Sequence, residues 1–378
     1  MNRDLHDVQR LVLKIGTSTL SRQTDWQAVS EGARPSGSID SEFLHDIARQ
    51  VALVMREGKQ VLLVTSGAIG MGAHELCLEK RPTEIEVRQA CAAIGQPILM
   101  EEYRRVFGIY GITIAQILIT RDDWDNRQSY LNLRNAVETL LSFKILPVFN
   151  ENDTVSTAEI GNAFGDNDQL SAYVASKVDA ELLIILTDVD ALYDANPKEN
   201  QYAKPVRYVE AITPEIREMA SGKGSEFSTG GMLTKLAAVE IAGDAGCRVV
   251  LAHGREPTLI NRILSGEEVG TLFGANHPLR NRTRWIKQAR AHGSIQIDSG
   301  ALKALKTHHS LLPSGVTTVL GDFKRGDVIL VNDSIKLISG YSSAELEAIK
   351  GKHSSELEAI LGEHAVLIVA RPEDMAFL

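Results

Sequence analysis

The segment Ser228–Ala238 combines two glycines, a helix-forming run and a lysine in the order STGGMLTKLAA. Gly230 and Gly231 allow the backbone to turn tightly, and the helix that follows would direct unpaired N–H groups and the positive end of its dipole into that turn. Lys235 stands about one helical turn after the glycines. The arrangement suits an anion, above all a phosphate, although a glycine turn that merely starts a helix has the same pattern.

A second lysine stands at the end of the first apolar run of the chain. Lys14 precedes Gly16 in the segment Leu11–Ser18. If Lys14 and Lys235 reach one site, they place two cations around a polyanion. Phosphoryl transfer requires this, because charge spreads over the equatorial oxygens of the moving group. A lone lysine at a strand end is more often a solvated cation, so the interpretation depends on the pair.

Two dense acid–amide clusters occur later in the chain, Asn150–Asp153 and Gly165–Asp168. Such clusters are often plain turns, because Asn and Asp tolerate unusual backbone angles. The functional interpretation is that amides bind a carboxylate substrate, that one acid holds its ammonium group, and that a second acid holds both lysines in place. Aspartates of this kind also meet Mg²⁺, usually together with waters and nucleotide phosphates.

An acidic segment, Thr187–Pro197, follows another apolar run and lacks an extended helical pattern. It predicts a loop over a sheet edge that holds the base and ribose of a nucleotide, and the alternative is a solvated acidic loop. The chain contains no GxxxxGK[ST] motif and no GxGxxG after a strand. A kinase with this sequence would therefore be neither a P-loop enzyme nor a relative of the protein kinases.

The polar segments follow short apolar runs that indicate strands buried on both faces. Helix-period segments, such as Phe43–Arg56 and Asn132–Ser142, lie between the runs. This alternation predicts an α/β fold with an open, mainly parallel sheet sandwiched by helices. Ligands of such sheets bind beyond the carboxyl ends of the strands, which is where the polar tips, Ala252–Gly254 among them, would lie. The runs are Leu11–Ile15, Val61–Val64, Ile145–Phe149, Leu182–Leu186 and Val249–Leu251.

The chain has 378 residues and a net charge of −9. Residues 278–378 carry a net charge of +2 and residues 1–277 one of −11, so the larger part is a poor general binder of nucleic acid. No apolar run reaches the roughly 18 residues that span a bilayer, and no signal-peptide region is evident. We therefore expect a cytoplasmic protein without membrane association. The three cysteines form no CxxC motif, and no metal-ligating residues are predicted.

The sequence pattern changes near residue 275, where strand–helix alternation ends. We assign residues 1–275 to the α/β domain, 276–290 to a linker and 291–378 to a small, mostly β domain. The arginine-rich segment Arg280–Arg290 is typical of a solvated linker, with a nucleic-acid contact as the alternative. The β domain is predicted from short apolar pieces separated by turn residues, namely Ser294–Ile297, Thr317–Leu320, Asp327–Val331 and Val366–Val369, with a helix around Ala344–Lys350.

One further segment, Ser21–Ser38, is rich in Ser, Gly and Gln and is interpreted as a long surface loop after the first strand.

Taken together, these motifs resemble the amino-acid kinase superfamily and, within it, the glutamate 5-kinase family. The resemblance extends from Leu11 to about Phe273 and continues through a segment similar to PUA domains. It implies the amino-acid kinase fold followed by a PUA-like domain. The matching motifs, in chain order, are Lys14–Ser18, Thr65–Ile69, Ala92–Gln96, Asn150–Asp153, Gly165–Asp168, Thr187–Asp188 and Thr229–Lys235, and in the tail Ser310–Val316 and Gly321–Asp327.

The resemblance implies a role for each matching position. Lys14, Lys235 and Asp168 would be catalytic, with the lysines on the ATP phosphates and Asp168 orienting them. Glutamate would be bound by Ser66, Asp153 and Asn167. The ATP site would be formed by Lys14, Thr187, Asp188, Thr229, Gly230, Gly231, Met232, Leu233, Thr234 and Lys235.

The reaction that the family implies is attack of the glutamate side-chain carboxylate on the γ-phosphoryl group of ATP, with Mg²⁺. The products are glutamyl 5-phosphate and ADP, and the step is the first of proline synthesis. Because a carboxylate is already ionised at neutral pH, no general base is needed. The family further implies feedback inhibition by proline and a homo-oligomer, either a dimer or a tetramer.

Two alternatives stay open at this point. A sister enzyme of the same superfamily would phosphorylate acetylglutamate, aspartate or a nucleotide monophosphate, and the PUA-like tail favours glutamate over these. A protein of another class would bind RNA through the tail. The small positive charge of residues 278–378 and their few aromatic residues argue against RNA binding as the main activity.

Overall fold

The chain forms two compact units, Met1–Pro278 and Leu279–Leu378. The predicted loop Ser21–Ser38 lies outside the described residues, as do Thr229 and Gly230. The division of the chain into residues 1–275, a linker (276–290) and a β domain (291–378) stays a prediction. The boundary between the two observed units lies after Pro278. The structure is a computed structural model that describes residues 3, 5–20, 39–80, 82–155, 167–197, 200–220, 231–256, 258–275, 278–353, 356–357, 360 and 368–378.

The first unit contains ten strands among its described residues. They are β1 (Arg10–Ile15), β2 (Gln60–Val64), β3 (Ile114–Ile119), β4 (Leu146–Glu151), β5 (Leu182–Thr187), β6 (Leu192–Tyr193), β7 (Pro205–Val206), β8 (Tyr208–Val209), β9 (Arg248–His253) and β10 (Thr271–Phe273).

Ten helices accompany these strands in the described part of the first unit. Neither they nor the described helices of the second unit combine the length and apolar character that a membrane span requires. The ten helices of the first unit are α1 (Thr17–Leu20), α2 (Ser41–Arg56), α3 (Ala68–Glu75), α4 (Ile85–Ile109), α5 (Arg121–Asp125), α6 (Arg127–Ser142), α7 (Asn167–Lys177), α8 (Pro214–Ala220), α9 (Met232–Gly243) and α10 (Leu259–Leu264).

Eight of the strands form one sheet in the order β3-β4-β2-β1-β5-β9-β10-β8. All neighbouring pairs are parallel except β9 and β10. The predicted open, mainly parallel sheet is therefore confirmed. The order also places β1 between β2 and β5, so the polar segments that follow these three strands meet at one edge.

Alternate residues of the central strands enter two different cores, one on each face of the sheet. Leu13 of β1 and Leu186 of β5 belong to the core that contains α2, α4 and α10. Val12 and Ile185 belong to the opposite core, which contains residues of α6, α7 and α9. Because side chains alternate along a strand, Lys14 of β1 lies on the face that α7 and α9 cover.

Helices α3 and α4 pack backbone against backbone through glycines. A Cβ atom on Gly95 would lie 1.9 Å from the carbonyl oxygen of Ala68, and one on Gly72 would lie 1.9 Å from that of Cys91. α3 starts directly after Ser66 and Gly67, which has φ 106°. The close contact therefore fixes the segment that follows β2 at the polar edge of the sheet.

Substitution of Gly95 by alanine should lower the free energy of unfolding by about 1–3 kcal/mol, because backbone atoms on both helices must separate to admit the methyl group. Gly108→Ala is the matched control in the same helix, since a Cβ atom there would meet nothing within 4 Å. The control should stabilise by roughly 0.5–1 kcal/mol through helix propensity. Denaturant unfolding of both variants makes the measurement, and equal stability of the two would contradict this packing.

The second unit is built around one five-stranded sheet in the order β12-β11-β13-β14-β15. Two strands of this sheet, β14 and β15, were not predicted. A three-residue connection, Asn332–Ser334, joins β13 to β14. Asn332 and Asp333 have φ 45° and 54°, and positive φ values are common in short hairpin connections. The elements of this unit are β11 (Ser294–Ile297), β12 (Val316–Leu320), β13 (Val328–Val331), β14 (Ile335–Ile338), β15 (Met375–Phe377), α11 (Asn281–Gln288), α12 (Ser299–Lys306) and α13 (Ser343–Ile349).

The arginine-rich segment differs from the solvated linker that its composition indicates. Residues 281–288 form helix α11, in which Arg284 and Ile286 are buried. Lys336 of β14 donates its ammonium protons to the carbonyl oxygens of Lys287 and Ala289, at 2.9 Å and 2.7 Å. The composition does not reveal this helix, because two of its three buried residues, Arg284 and Gln288, are polar.

Candidate active site

Two lysines that are 221 positions apart meet at one aspartate. The ammonium nitrogen of Lys14 lies 2.6 Å from Oδ1 of Asp168, and that of Lys235 lies 3.1 Å from Oδ2. The Asp168 side chain is fully buried, and the lysine side chains are 5% and 9% exposed. The group of three, called here the ion triad, carries a net charge of +1.

Each member of the ion triad comes from the carboxyl edge of the sheet or from a helix that begins there. Lys14 is the penultimate residue of β1. Asp168 lies in the first turn of α7, where the helix dipole favours a carboxylate. Lys235 is the fourth residue of α9. Gly16 leaves room for the Lys14 ammonium, because a Cβ atom at that position would lie 3.2 Å from it.

The ion triad holds Asp168 in its ionised form. Burial alone would raise the pKa of this carboxyl group, but the charges of Lys14 and Lys235 outweigh burial and lower the pKa to about 2. Asp168 is therefore an anion throughout the physiological pH range. Since it accepts from both ammonium groups, it fixes their separation and leaves one positive charge for a further anion.

The opening of α9 offers a second cationic feature. The helix begins after Gly231, and no side chain caps its first turn. Thr234 instead donates its hydroxyl proton back to the carbonyl oxygen of Gly231, at 2.7 Å. Leu233 is 49% exposed, so this turn faces outward. The N–H groups of the first turn and Lys235 thus share one helix end, which suits an anion.

Asn167 directly precedes Asp168 of the ion triad in the sequence. It belongs to a series of hydrogen-bonded amide side chains, called here the amide chain. Its side-chain nitrogen donates to Oγ of Ser66 at 2.7 Å, to Oδ1 of Asn150 at 3.0 Å and to the carbonyl oxygen of Thr65. The Asn150 amide in turn donates to Oε1 of Gln96 at 2.8 Å. The structure therefore brings together Ser66 and Asn167, two of the three residues predicted to bind glutamate.

The third residue predicted to bind glutamate, Asp153, follows the end of β4. It is only partly exposed. Burial raises its pKa to about 6, although the nearby charge of Arg88 acts in the opposite direction. A cation bound next to this partly desolvated carboxylate would compensate for its lost hydration and stabilise its ionised form.

The sequence does not single out three further side chains of this region. Asn150 and Gln96 lie within motifs that assign them no role of their own, and Tyr103 lies outside the motifs. The Tyr103 hydroxyl lies 2.9 Å from Oγ1 of Thr65, and burial raises its pKa. Tyr103 is buried in α4 together with the apolar residues Leu99, Val106 and Phe107, so no sequence pattern distinguishes it from an ordinary core residue.

The predicted nucleotide residues Thr187 and Asp188 lie at the end of β5. The Thr187 hydroxyl donates to Oδ1 of Asp188 at 3.0 Å, and the carbonyl oxygen of Thr187 accepts from the Gly254 N–H at 2.9 Å. Asp188 is exposed and Thr187 is buried. The structure places both beside the strand that carries Lys14. Of the other predicted nucleotide residues, Gly231 to Lys235 form the start of α9.

The sequence pattern of the amino acid kinase family matches residues 9–253, and that of the PUA domain matches residues 293–361. The first match covers more than half of the chain and contains the whole ion triad. The chain therefore belongs to the amino acid kinase family.

Relatives within that family are similar over most of their length. The glutamate 5-kinase of Methanosarcina acetivorans is 46% identical over 345 residues, which is 90% of this chain and 88% of the relative. That of Caldanaerobacter subterraneus subsp. tengcongensis is 41% identical over 346 residues, 89% of each. The chain is thus a member of the glutamate 5-kinase family. A UMP kinase structure from Bacillus anthracis is 18% identical, with a TM-score of 0.48 over 72% of this chain and 98% of that one.

Proposed function

We propose that this protein transfers the γ-phosphoryl group of ATP to the side-chain carboxylate of L-glutamate. A carboxylate oxygen of glutamate attacks the γ-phosphorus, the bond from that phosphorus to the β–γ bridging oxygen breaks, and its electron pair leaves with ADP. The product is L-glutamyl 5-phosphate. The single observation that carries the proposal is the ion triad, in which Lys14 and Lys235 are held on one buried carboxylate.

The ion triad suits transfer of a phosphoryl group between two anions. Nucleophile and leaving group are both negative, so the main barrier is electrostatic, and preorganised cations reduce it. Lys14 and Lys235 would contact the oxygens of the migrating group, while Asp168 keeps them from turning to solvent. No base is required, since the attacking carboxylate is ionised at neutral pH. Positioning and charge neutralisation are then the contributions of the protein.

Glutamate would bind at the amide chain, next to Asn167. The Ser66 hydroxyl and the Asn167 amide offer hydrogen bonds at the carboxyl edge of β2, and Asp153 offers a negative charge for the amino group. Asn167 and Asp168 are consecutive residues at the start of α7. The amide that contacts the acceptor and the carboxylate that holds the lysines are thus fixed by one helix turn.

ATP would bind with its triphosphate at the first turn of α9 and with Thr187 and Asp188 beneath it. The described residues contain no group of three or more His, Cys, Asp or Glu side chains with metal-binding geometry, and both Asp168 oxygens face ammonium groups. This donor set does not fit a protein-held Mg²⁺. We propose that Mg²⁺ enters with ATP, bound to its phosphates, and we assign no step to it.

Formation of ADP with each of several acceptors tests the substrate. Purified protein with ATP and Mg²⁺ should turn over with L-glutamate at a kcat/KM at least about 100-fold above that with aspartate, acetylglutamate or UMP. Acetylglutamate and UMP lack the ammonium group that Asp153 would hold, and the side chain of aspartate is one methylene too short to bring its carboxylate to the γ-phosphate. Comparable turnover with one of the other acceptors, or none with glutamate, would contradict the proposed function.

Asp153→Asn should raise the KM for glutamate about 10- to 100-fold with little change in kcat, since a charged hydrogen bond contributes about 1.5–3 kcal/mol to ground-state binding. In the unchanged protein the pKa of Asp153 is about 6. Below that pH the acid is neutral and attracts the ammonium group less, so kcat/KM for glutamate should fall as pH decreases from 7 to 5.

The same pH series with Asp153→Asn is the control for this assignment. The amide cannot titrate, so the decrease that Asp153 causes should be absent, while the KM for ATP stays constant in both proteins. An identical pH dependence of kcat/KM in the two proteins would remove Asp153 from the glutamate site.

The proposed reaction forms an acyl phosphate of glutamate, which is the starting point of proline synthesis, and its setting is the cytoplasm. Feedback inhibition by proline and assembly into a dimer or tetramer are part of the proposal, and they rest on membership of the family. Titration of activity with proline and sedimentation of the full chain would test them. The PUA domain supports binding of structured RNA only as a secondary property.

A further inference from the structure

The last residue of β9, His253, lies beside the nucleotide edge but has no role in the function described so far. β9 pairs with β5 in parallel, and in this register Thr187 is directly opposite His253. The Gly254 N–H then donates to the carbonyl oxygen of Thr187 at 2.9 Å. The backbone that carries His253 is therefore fixed to the end of the strand that carries two predicted ATP residues.

The faces of the sheet show where the His253 side chain points. Val250 and Ala252 of β9 belong to the core that contains Leu186, whereas Val249 and Leu251 belong to the opposite core. Strand alternation assigns His253 to the second face. Gly254 supports this, because a Cβ atom there would lie 2.2 Å from Cγ2 of Thr19 and 3.3 Å from Cβ of Leu186.

Three adjacent strands thus present a polar side chain on one face at the same edge. These are Lys14 on β1, Thr187 on β5 and His253 on β9, and the order β1-β5-β9 places them in a row. Neighbouring strands lie about 4.8 Å apart, and Lys14 is opposite Ile185, two residues before the Thr187–His253 pair. The backbone distance from Lys14 to His253 is therefore about 12 Å. That span is comparable to the length of a triphosphate. A nucleotide with its γ-phosphate at the ion triad would bring its ribose towards β9.

The imidazole is prepared to donate a hydrogen bond. Nδ1 of His253 accepts the Arg255 N–H at 3.3 Å, so the ring proton is carried by Nε2. The ring is half-buried. The strand β6, which follows Asp188, is tied to the same side of the sheet because the Leu192 N–H donates to Oγ1 of Thr271 at 2.8 Å.

We propose that His253 binds the ribose of ATP by donating a hydrogen bond from Nε2 to a ribose hydroxyl. This assignment rests on the proposed function only for the place of the γ-phosphate. His253 would set the position of the nucleoside end and take no part in phosphoryl transfer.

Calorimetric titration of the full chain with ATP, 2′-deoxy-ATP and 3′-deoxy-ATP, without glutamate, tests the proposal. His253→Ala should raise the Kd for ATP about 3- to 10-fold, the loss expected for one neutral hydrogen bond. The unchanged protein should show the same loss with one of the two deoxy nucleotides, and the variant should show no further loss with it. His253→Asn, whose amide can donate, should recover part of the affinity.

Arg255→Ala is the matched control, because the Arg255 guanidinium donates to Asp40 at 2.8 Å and lies over the ring of Phe43, residues of the opposite face. It should leave the three Kd values unchanged. The proposal would be overturned if His253→Ala distinguished ATP from the two deoxy nucleotides by the same ratios of Kd as the unchanged protein. Because binding is measured without an acceptor, a protein that binds ATP but does not phosphorylate glutamate would refute the reaction and leave the His253 test intact.

Discussion

Replacement of Asp168 by asparagine is expected to lower kcat at least 100-fold and to lower the free energy of unfolding by about 3–5 kcal/mol. The Asp168 carboxylate contacts both the Lys14 and the Lys235 ammonium groups. Without it the two buried cations lose the carboxylate that they share, and the removal of one member of a buried ion pair costs several kcal/mol. The lysines would then separate, and the charge stabilisation of the migrating phosphoryl group would be lost with them.

Asp179→Asn is the matched control for this variant. Asp179 pairs with Arg134 at 2.7 Å, but the two side chains are 41% and 30% exposed. Its φ of 51° lies in a region that asparagine also tolerates. The control should change the free energy of unfolding by less than about 1 kcal/mol and leave kcat unaltered. Equal effects of the two substitutions would show that the ion triad has no special part in stability or catalysis.

The acid dependence of stability provides an independent measurement on Asp168. Its pKa is lowered to about 2 in the folded protein, against an ordinary value of about 3.9. The stabilisation is therefore fully present above pH 4 and is lost as pH falls from about 4 towards 2. Asp168→Asn removes this contribution, so its free energy of unfolding should decline less steeply over that interval.

The central strands of the sheet could be predicted from the sequence, and its edges could not. β1, β2, β4, β5 and β9 are buried on both faces, which produces continuous apolar runs that flanking polar residues delimit sharply. β3 lies at the edge of the sheet, where Gln116 is exposed and most of its residues are half-buried, so that signal is absent. β8 and β10 are two and three residues long, too short for any periodic pattern.

The residues of the candidate site were predictable where a motif marked them. The glycine-led helix start and the acid–amide cluster at Asn167 carry composition that a core segment would not have. Their meeting point depends on β1 lying between β2 and β5, which short-range patterns do not specify. Gln96 and Tyr103 were missed for the same reason, because each meets its polar partner only in another segment of the fold.

Lys235→Met is expected to reduce kcat by roughly 10²–10³-fold, the usual effect of removing one charge-stabilising group. The KM for glutamate should stay near its original value, because Ser66 and Asn167 remain in place. The folded state should tolerate the change, since Asp168 keeps Lys14 as a partner at 2.6 Å and methionine fills a similar volume. Steady-state kinetics with both substrates varied makes the measurement.

Lys177→Met separates the loss of a buried lysine from the loss of chemistry. Lys177 is 7% exposed, like Lys235, but its ammonium group lies 5.1 Å from the centre of the Tyr130 ring. We expect this control to change stability and to leave kcat within about twofold. If Lys235→Met raised only the KM for ATP, Lys235 would bind the ground state without favouring the transition state.

The double variant Lys14→Met/Lys235→Met decides whether the lysines act on one group. The two lysines are held by the two oxygens of Asp168. If both stabilise the same migrating phosphoryl group, removal of either disrupts the arrangement, and removal of the second raises the activation barrier by less than removal of the first. Groups that act as a unit show such non-additive losses. Independent action on separate phosphates would instead make the two barrier increases sum to within about 0.5 kcal/mol.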